Sequence, residues 1–133
     1  MTTTKNIHLS PTDHQKLSGI LKSMKAKGNL KALHLKTLMA ELSEAVIVPE
    51  GHIPEHIVGM GSTVEYFNPL SKTTEKARLV FPVEADAEKR NISVLAPLGA
   101  ALIGESAGTK VQCQAPDTTW VVEIISVTHQ TEN

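Results

Sequence analysis

The hydrophobic pattern of this chain changes period once, at Pro49, and that change limits what the chain can fold into. Before Pro49, Leu17, Ile20, Leu21 and Met24 fall at i, i+3, i+4 and i+7, the spacing of one helix face. Ser10, Pro11 and Asp13 ahead of them read as an N-cap, a first-turn proline and a capping-box acid. "KGN" at 27–29 interrupts the stripe, with Gly28 suited to a helix C-cap and Asn29 able to cap a following helix. The spacing then recurs at Leu35, Leu38, Met39 and Leu42. Two matching stripes around a tight turn predict a short antiparallel helical hairpin, a small coiled coil over residues 1–48. Each arm of about 16 residues would be roughly 24 Å long.

After Pro49 the pattern is that of strands. "STVEYF" (62–67) and "KARLVFPV" (76–83) carry β-type residues with partial alternation, and the turn-forming "NPLSKTTE" between them predicts a hairpin. "NISVLA" (91–96) is a third strand. "PLGAALIG" (97–104) is a short helix with Pro97 at its start and Gly104 at its end. "TKVQCQA" and "WVVEIISV" are two further strands around the turn "PDT" at 116–118. The order β-β-β-α-β-β over 49–133 predicts an α+β fold, an antiparallel sheet with one helix packed across it. In "APLGAALIGESAGTKV" the small residues let that helix sit close to the sheet, with Ala100, Ala101, Leu102 and Ile103 facing the core.

Charge divides at the same place. Through Val48 there are seven lysines against Asp13, Glu41 and Glu44, a net of +4; the remainder carries six basic residues against eleven acids, a net of −5. Opposite fields on one chain are read either as an asymmetric interaction surface or as two solvated faces. The basic part is concentrated around the turn, at Lys22, Lys25, Lys27 and Lys31, and no Asp or Glu lies between Asp13 and Glu41. A tip of this composition cannot hold magnesium through carboxylates. The four aromatics, Tyr66, Phe67, Phe81 and Trp120, are too few for a base-stacking surface. The N-terminal stretch has no apolar core of signal-peptide length and no run spans a bilayer, so the expected location is cytoplasmic.

Other motifs carry no catalytic reading. "HIPEH" (52–56) has the spacing of an inverted zinc-protease motif, but Gly51 and Pro54 work against the helix that chemistry requires. His8, His14, His34 and His129 are scattered and read as surface residues. "GMGSTVEYF" and "GESAG" lack the Lys-Ser/Thr or the full Gly pattern of a phosphate loop. Cys113 reads as a buried small hydrophobe rather than a nucleophile. The expectation is a protein with no catalytic residues, no metal and no cofactor.

"SVLAPLGAALIGESAGTKVQCQAPDTTWVVEIISV" resembles the C-terminal domain of the Gre transcript-cleavage factors. Ala96, Pro97, Leu98, Gly99, Ala101, Leu102 and Gly104 match that family's central motif. "APLGAALIG" and "IPEHIVGMGSTVEYFN" look closer still to its shorter branch, the regulators of nucleoside diphosphate kinase, or Rnk proteins. The resemblance covers residues 46–128. The chain departs from the family at Ala107-Gly108-Thr109, where a Val-Gly-Asp turn is usual, and at Asp117-Thr118, where Gly-Gly is usual.

The resemblance implies an FKBP-like second part that docks on bacterial RNA polymerase at the rim of the secondary channel. The hairpin would then enter that channel. Full Gre factors have longer arms and two acidic tip residues that help bind a catalytic magnesium. Here the arms are short and the tip is Lys25, Lys27, Gly28, Asn29 and Lys31. The implied function is a non-enzymatic transcription regulator that competes with Gre-type factors without stimulating cleavage. Nucleic acid would be met only indirectly through the polymerase; no membrane is involved and the expected state is a monomer. The implied contacts are Ala96, Pro97, Leu98 and Gly99 at an exposed corner, and Lys25, Lys27, Asn29 and Lys31 at the tip. Two alternatives stand beside this. One is a protein-binding module that affects nucleoside diphosphate kinase levels independently of polymerase. The other is an FKBP-type prolyl isomerase, an activity that needs an aromatic-lined pocket.

Overall fold

The computed structural model describes residues 6–129 of the 133. Two helices come first, α1 (Pro11–Ala26) and α2 (Leu33–Ser43). Two-residue strands flank them, β1 (His8–Leu9) and β2 (Val46–Ile47), which pair parallel and tie the ends of the helical segment together. The rest supplies β3 (Thr63–Asn68), β4 (Thr73–Val80), a single 3-10 turn at Pro82–Glu84, β5 (Asn91–Ser93), α3 (Pro97–Leu102), β6 (Lys110–Ala115) and β7 (Thr118–Thr128). The fold is mixed α+β, as the change of period predicts.

α1 begins where the sequence places it. Ser10 is the N-cap, its Oγ accepting the Asp13 N–H at 3.1 Å, and Pro11 follows in the first turn. Asp13 departs from expectation. Its carboxylate does not close a capping box; Oδ2 accepts the Met60 N–H at 3.1 Å, from a loop 47 residues on. α1 ends in a Schellman motif: Gly28 has φ +75° and its N–H reaches the Lys25 carbonyl, while the Asn29 N–H reaches the Met24 carbonyl at 2.8 Å. Asn29 is thereby committed to closing α1 and does not cap α2. The N-cap of α2 is Ala32, with no side-chain hydrogen bond, and α2 is 11 residues rather than 16.

The five-stranded sheet has the order β5-β4-β3-β7-β6. It is not wholly antiparallel, a correction to the expected architecture. β5 runs parallel to β4, with Arg78 opposite Asn91 and Val80 opposite Ser93. The cause lies in residues 81–90. A 3-10 turn and a loop closed by reciprocal Asp86–Asn91 backbone bonds of 2.9 Å carry the chain back along β4 before it re-enters the sheet.

One core runs through the molecule. Leu17 and Leu21 of α1 and Leu35, Leu38 and Leu42 of α2 join Val64, Leu79, Val94, Leu102, Ile103, Val111, Cys113 and Ile124 in a single buried cluster. Ile7 and Leu9 plug the junction, each 1% exposed. Gly104 makes that possible: φ is +76°, and a Cβ there would meet the Ile7 Cβ.

Candidate functional site

The tip of the hairpin is the segment from Lys25 to Ala32. Lys22, Lys25, Lys27, Asn29 and Lys31 are all exposed. Among the described residues none of these lysines, nor Lys36, is held in an ion pair. Lys25 lies in the last turn of α1, where the helix dipole favours a cation. The nearest acids in sequence are far from the tip. Asp13 is in the first turn of α1, about 20 Å along the helix from Ala26. Glu41 is in the last turn of α2.

The second predicted group starts α3. Ala96 is its N-cap and Pro97 its first residue. Ala96, Pro97 and Leu98 are half-buried, whereas Gly99 is buried. A Cβ at Gly99 would overlap the Ser93 carbonyl and come within 2.9 Å of the Val94 Cα. Gly99 therefore serves close packing of α3 over the end of β5, and the accessible part of this corner is Ala96 to Leu98. Ala101 lies at the rim of a small cavity of about 120 Å³, lined also by His34, Thr37, Glu41, Pro97 and Gln112.

A histidine brings the two groups together. His34, the second residue of α2, donates Nε2–H to the Leu95 carbonyl at 2.7 Å. It lies three residues after Lys31, and Leu95 directly precedes Ala96, so the basic tip and the α3 corner belong to one side of the molecule. His14 does the same at the opposite end, its Nε2–H reaching the Leu42 carbonyl at 2.9 Å and setting the arms antiparallel. His129 Nδ1 pairs with Ser62 Oγ at 2.9 Å, and Ser62 also accepts the Gly59 N–H. Three of the four histidines expected at the surface are thus cross-links. Their partners lie 28, 61 and 67 residues away, which no local pattern discloses.

Electrostatics at the base of the hairpin are distinctive. Burial pushes the Asp13 carboxyl above its usual range and the nearby Glu50 charge adds to this, while the Met60 N–H opposes it. Glu50 is held below the usual range by its bonds to Thr12, whose N–H it accepts at 2.9 Å. Residues 52–56 form no helix.

A family model described as transcription elongation factor GreA/GreB, C-terminal, matches residues 53–129, from the segment before β3 to the end of β7. The chain belongs to the GreA/GreB family.

Curated members of both branches are similar to it. The transcription elongation factor GreA of Thermodesulfovibrio yellowstonii is 32% identical over 96 residues, covering 72% of this chain and 61% of that protein. The regulator of nucleoside diphosphate kinase of Escherichia coli K12 is 29% identical over 96 residues, covering 71% of each. The chain thus spans about three fifths of the GreA proteins it matches. A solved GreA/GreB factor from Nitrosomonas europaea superposes with a TM-score of 0.75 at 31% identity, over 94% of this chain and 99% of that one. The GreA/GreB relationship therefore extends to the arrangement of helices and sheet together. Among the described residues no helix is long and apolar enough to cross a membrane.

Proposed function

We propose that this protein is a non-enzymatic, cytoplasmic regulator that binds RNA polymerase as a monomer at the mouth of the secondary channel. There it competes with Gre-type cleavage factors without itself promoting cleavage. The sheet with α3 is read as the FKBP-like docking part, residues 49–133, and the hairpin of residues 1–48 as a short coiled coil.

The observation that carries this reading is a GreA/GreB-family chain whose tip holds only cations. Delivery of a magnesium ion by a hairpin tip requires carboxylates there, and residues 14–40 contain none. The packing supports action at the rim: Leu35, Leu38 and Leu42 anchor α2 in the core and Met24, Leu30 and Ala32 pack against it, while Lys25, Lys27, Asn29 and Lys31 at the turn stay exposed. The docking face is the corner Ala96, Pro97 and Leu98, with Gly99 beneath it. Lys25, Lys27, Asn29 and Lys31 beside it face acidic groups of the channel. The test is displacement of a GreA factor from core polymerase with cleavage followed in parallel.

The relative named as a regulator of nucleoside diphosphate kinase favours one further reading, an effect on that kinase's level through a protein contact outside the polymerase. Capture from lysate separates the two: polymerase subunits dominate under the first reading and are absent under the second.

A further inference from the structure

The lateral face of the hairpin carries a groove that shares only Lys25 with the polymerase reading. It encloses about 470 Å³ between the end of α1 and the outer side of α2, and is lined by Lys25, Leu30, Lys36, Met39, Ala40 and Ser43. Leu30 and Met39 are half-buried and form an apolar floor, while Lys25 and Lys36 are exposed at its edges. Leu33, three residues before Lys36 and therefore on the same side of α2, is 62% exposed. A floor of unbranched and aliphatic side chains framed by two ammonium groups fits an apolar residue with carboxylates on either side of it.

We propose that this groove binds an acidic amphipathic segment of a partner protein, seating one aliphatic side chain on Leu30 and Met39 and carboxylates against Lys25 and Lys36. Charge complementarity selects the occupant. The groove's Lys25, Leu30 and Lys36 side lies within residues 14–40, which carry lysines and no acids, so carboxylates seated there meet no like charge; Glu41 and Glu44 flank only its Ser43 end. The lining argues against nucleic acid. It offers no aromatic ring for base stacking, since the aromatics lie at 66, 67, 81 and 120. Methionine at the centre accommodates aliphatic side chains of different shape, which suits a short linear motif more than a fixed surface. The proposal extends the reading of the basic tip, on whose field it rests, but needs no polymerase.

The test uses the full chain labelled with nitrogen-15 and a synthetic helical peptide bearing glutamates around a central leucine, titrated at low salt. Saturable shifts are expected at the amides of Lys25, Leu30 and residues 36–43, and the double variant Lys25→Glu/Lys36→Glu should raise Kd about tenfold. Replacing the peptide's leucine by serine should weaken binding several-fold, and Lys110→Glu, on β6, should leave it unchanged. Equal binding of the serine peptide overturns the proposal, because the lysines would then act as a diffuse charge patch. So does a single-stranded RNA oligonucleotide that binds the same amides more tightly, or shifts that map elsewhere. Because polymerase is absent from the titration, failure here leaves the channel reading standing, and failure there leaves this groove intact.

Discussion

Asp13 of α1 accepts the backbone N–H of Met60 at 3.1 Å, joining the first turn of the hairpin to the loop that leads into β3. One carboxylate thus fixes where the base of the hairpin meets the sheet.

This contact gives stability an unusual pH dependence. The folded-state pKa of Asp13 is raised above its ordinary 3.8, chiefly by burial. Between the unfolded and the raised folded value the native state binds the extra proton, so this group's contribution falls as pH rises through that window. Glu50 has the opposite sign: its folded value lies below 4.5, and its contribution is lost as pH falls through that range. Asp13→Asn keeps the acceptor for Met60 and should shift stability at neutral pH by less than about 1 kcal/mol. It should also remove the Asp13 component from a denaturation-versus-pH profile. Asp13→Ala should remove the same pH-dependent component and, in addition, cost about 1 kcal/mol because the Met60 N–H loses its partner.

Gly99→Ala should destabilise the fold by about 3 kcal/mol, since the new methyl would overlap the Ser93 carbonyl, a backbone group and not the end of a flexible side chain. Chemical denaturation measures this directly. Pro97→Ala, at the half-buried corner, should cost much less stability while weakening binding to polymerase. The pair therefore separates packing from docking within one motif.

His34→Ala should loosen α2 from the Leu95 carbonyl and cost about 1–2 kcal/mol. Amide exchange should accelerate in the first turn of α2 and around Ala96, with little change near β7. Exchange that rises uniformly would mean the bond is not a local latch.

Much of this architecture was legible in the sequence because it is written in local signals. The stripe Leu17, Ile20, Leu21, Met24, the N-cap Ser10 and the αL position Gly28 each act within a turn or two of helix. The motif from Ala96 to Gly104 identified the family for the same reason. What stayed hidden depends on distant partners. Asn29 reads from sequence as a cap for α2, and its backbone bond to Met24 instead closes α1. The parallel direction of β5 follows from the path of residues 81–90, and a three-residue strand carries no mark of its direction. His34 gave no local sign that it would join the tip to the α3 corner. Gly99 looked like part of an exposed motif and is held by contacts to Ser93 and Val94.

Replacing Lys25, Lys27 and Lys31 together by Glu should weaken polymerase binding at least about tenfold at low salt and flatten its salt dependence. The fold should be kept, because all three side chains are exposed, with a small loss at the end of α1 where Glu replaces the cation the helix dipole favours. An unchanged affinity and salt slope would remove the tip from the interface.

The measurement that bears most directly on the central claim is competition between this protein and a GreA factor for core RNA polymerase, with cleavage of a backtracked transcript followed in the same reaction. Displacement of GreA and a matching fall in cleavage are expected as this protein is added. Binding accompanied by a rise in cleavage, or no binding at all, would contradict it.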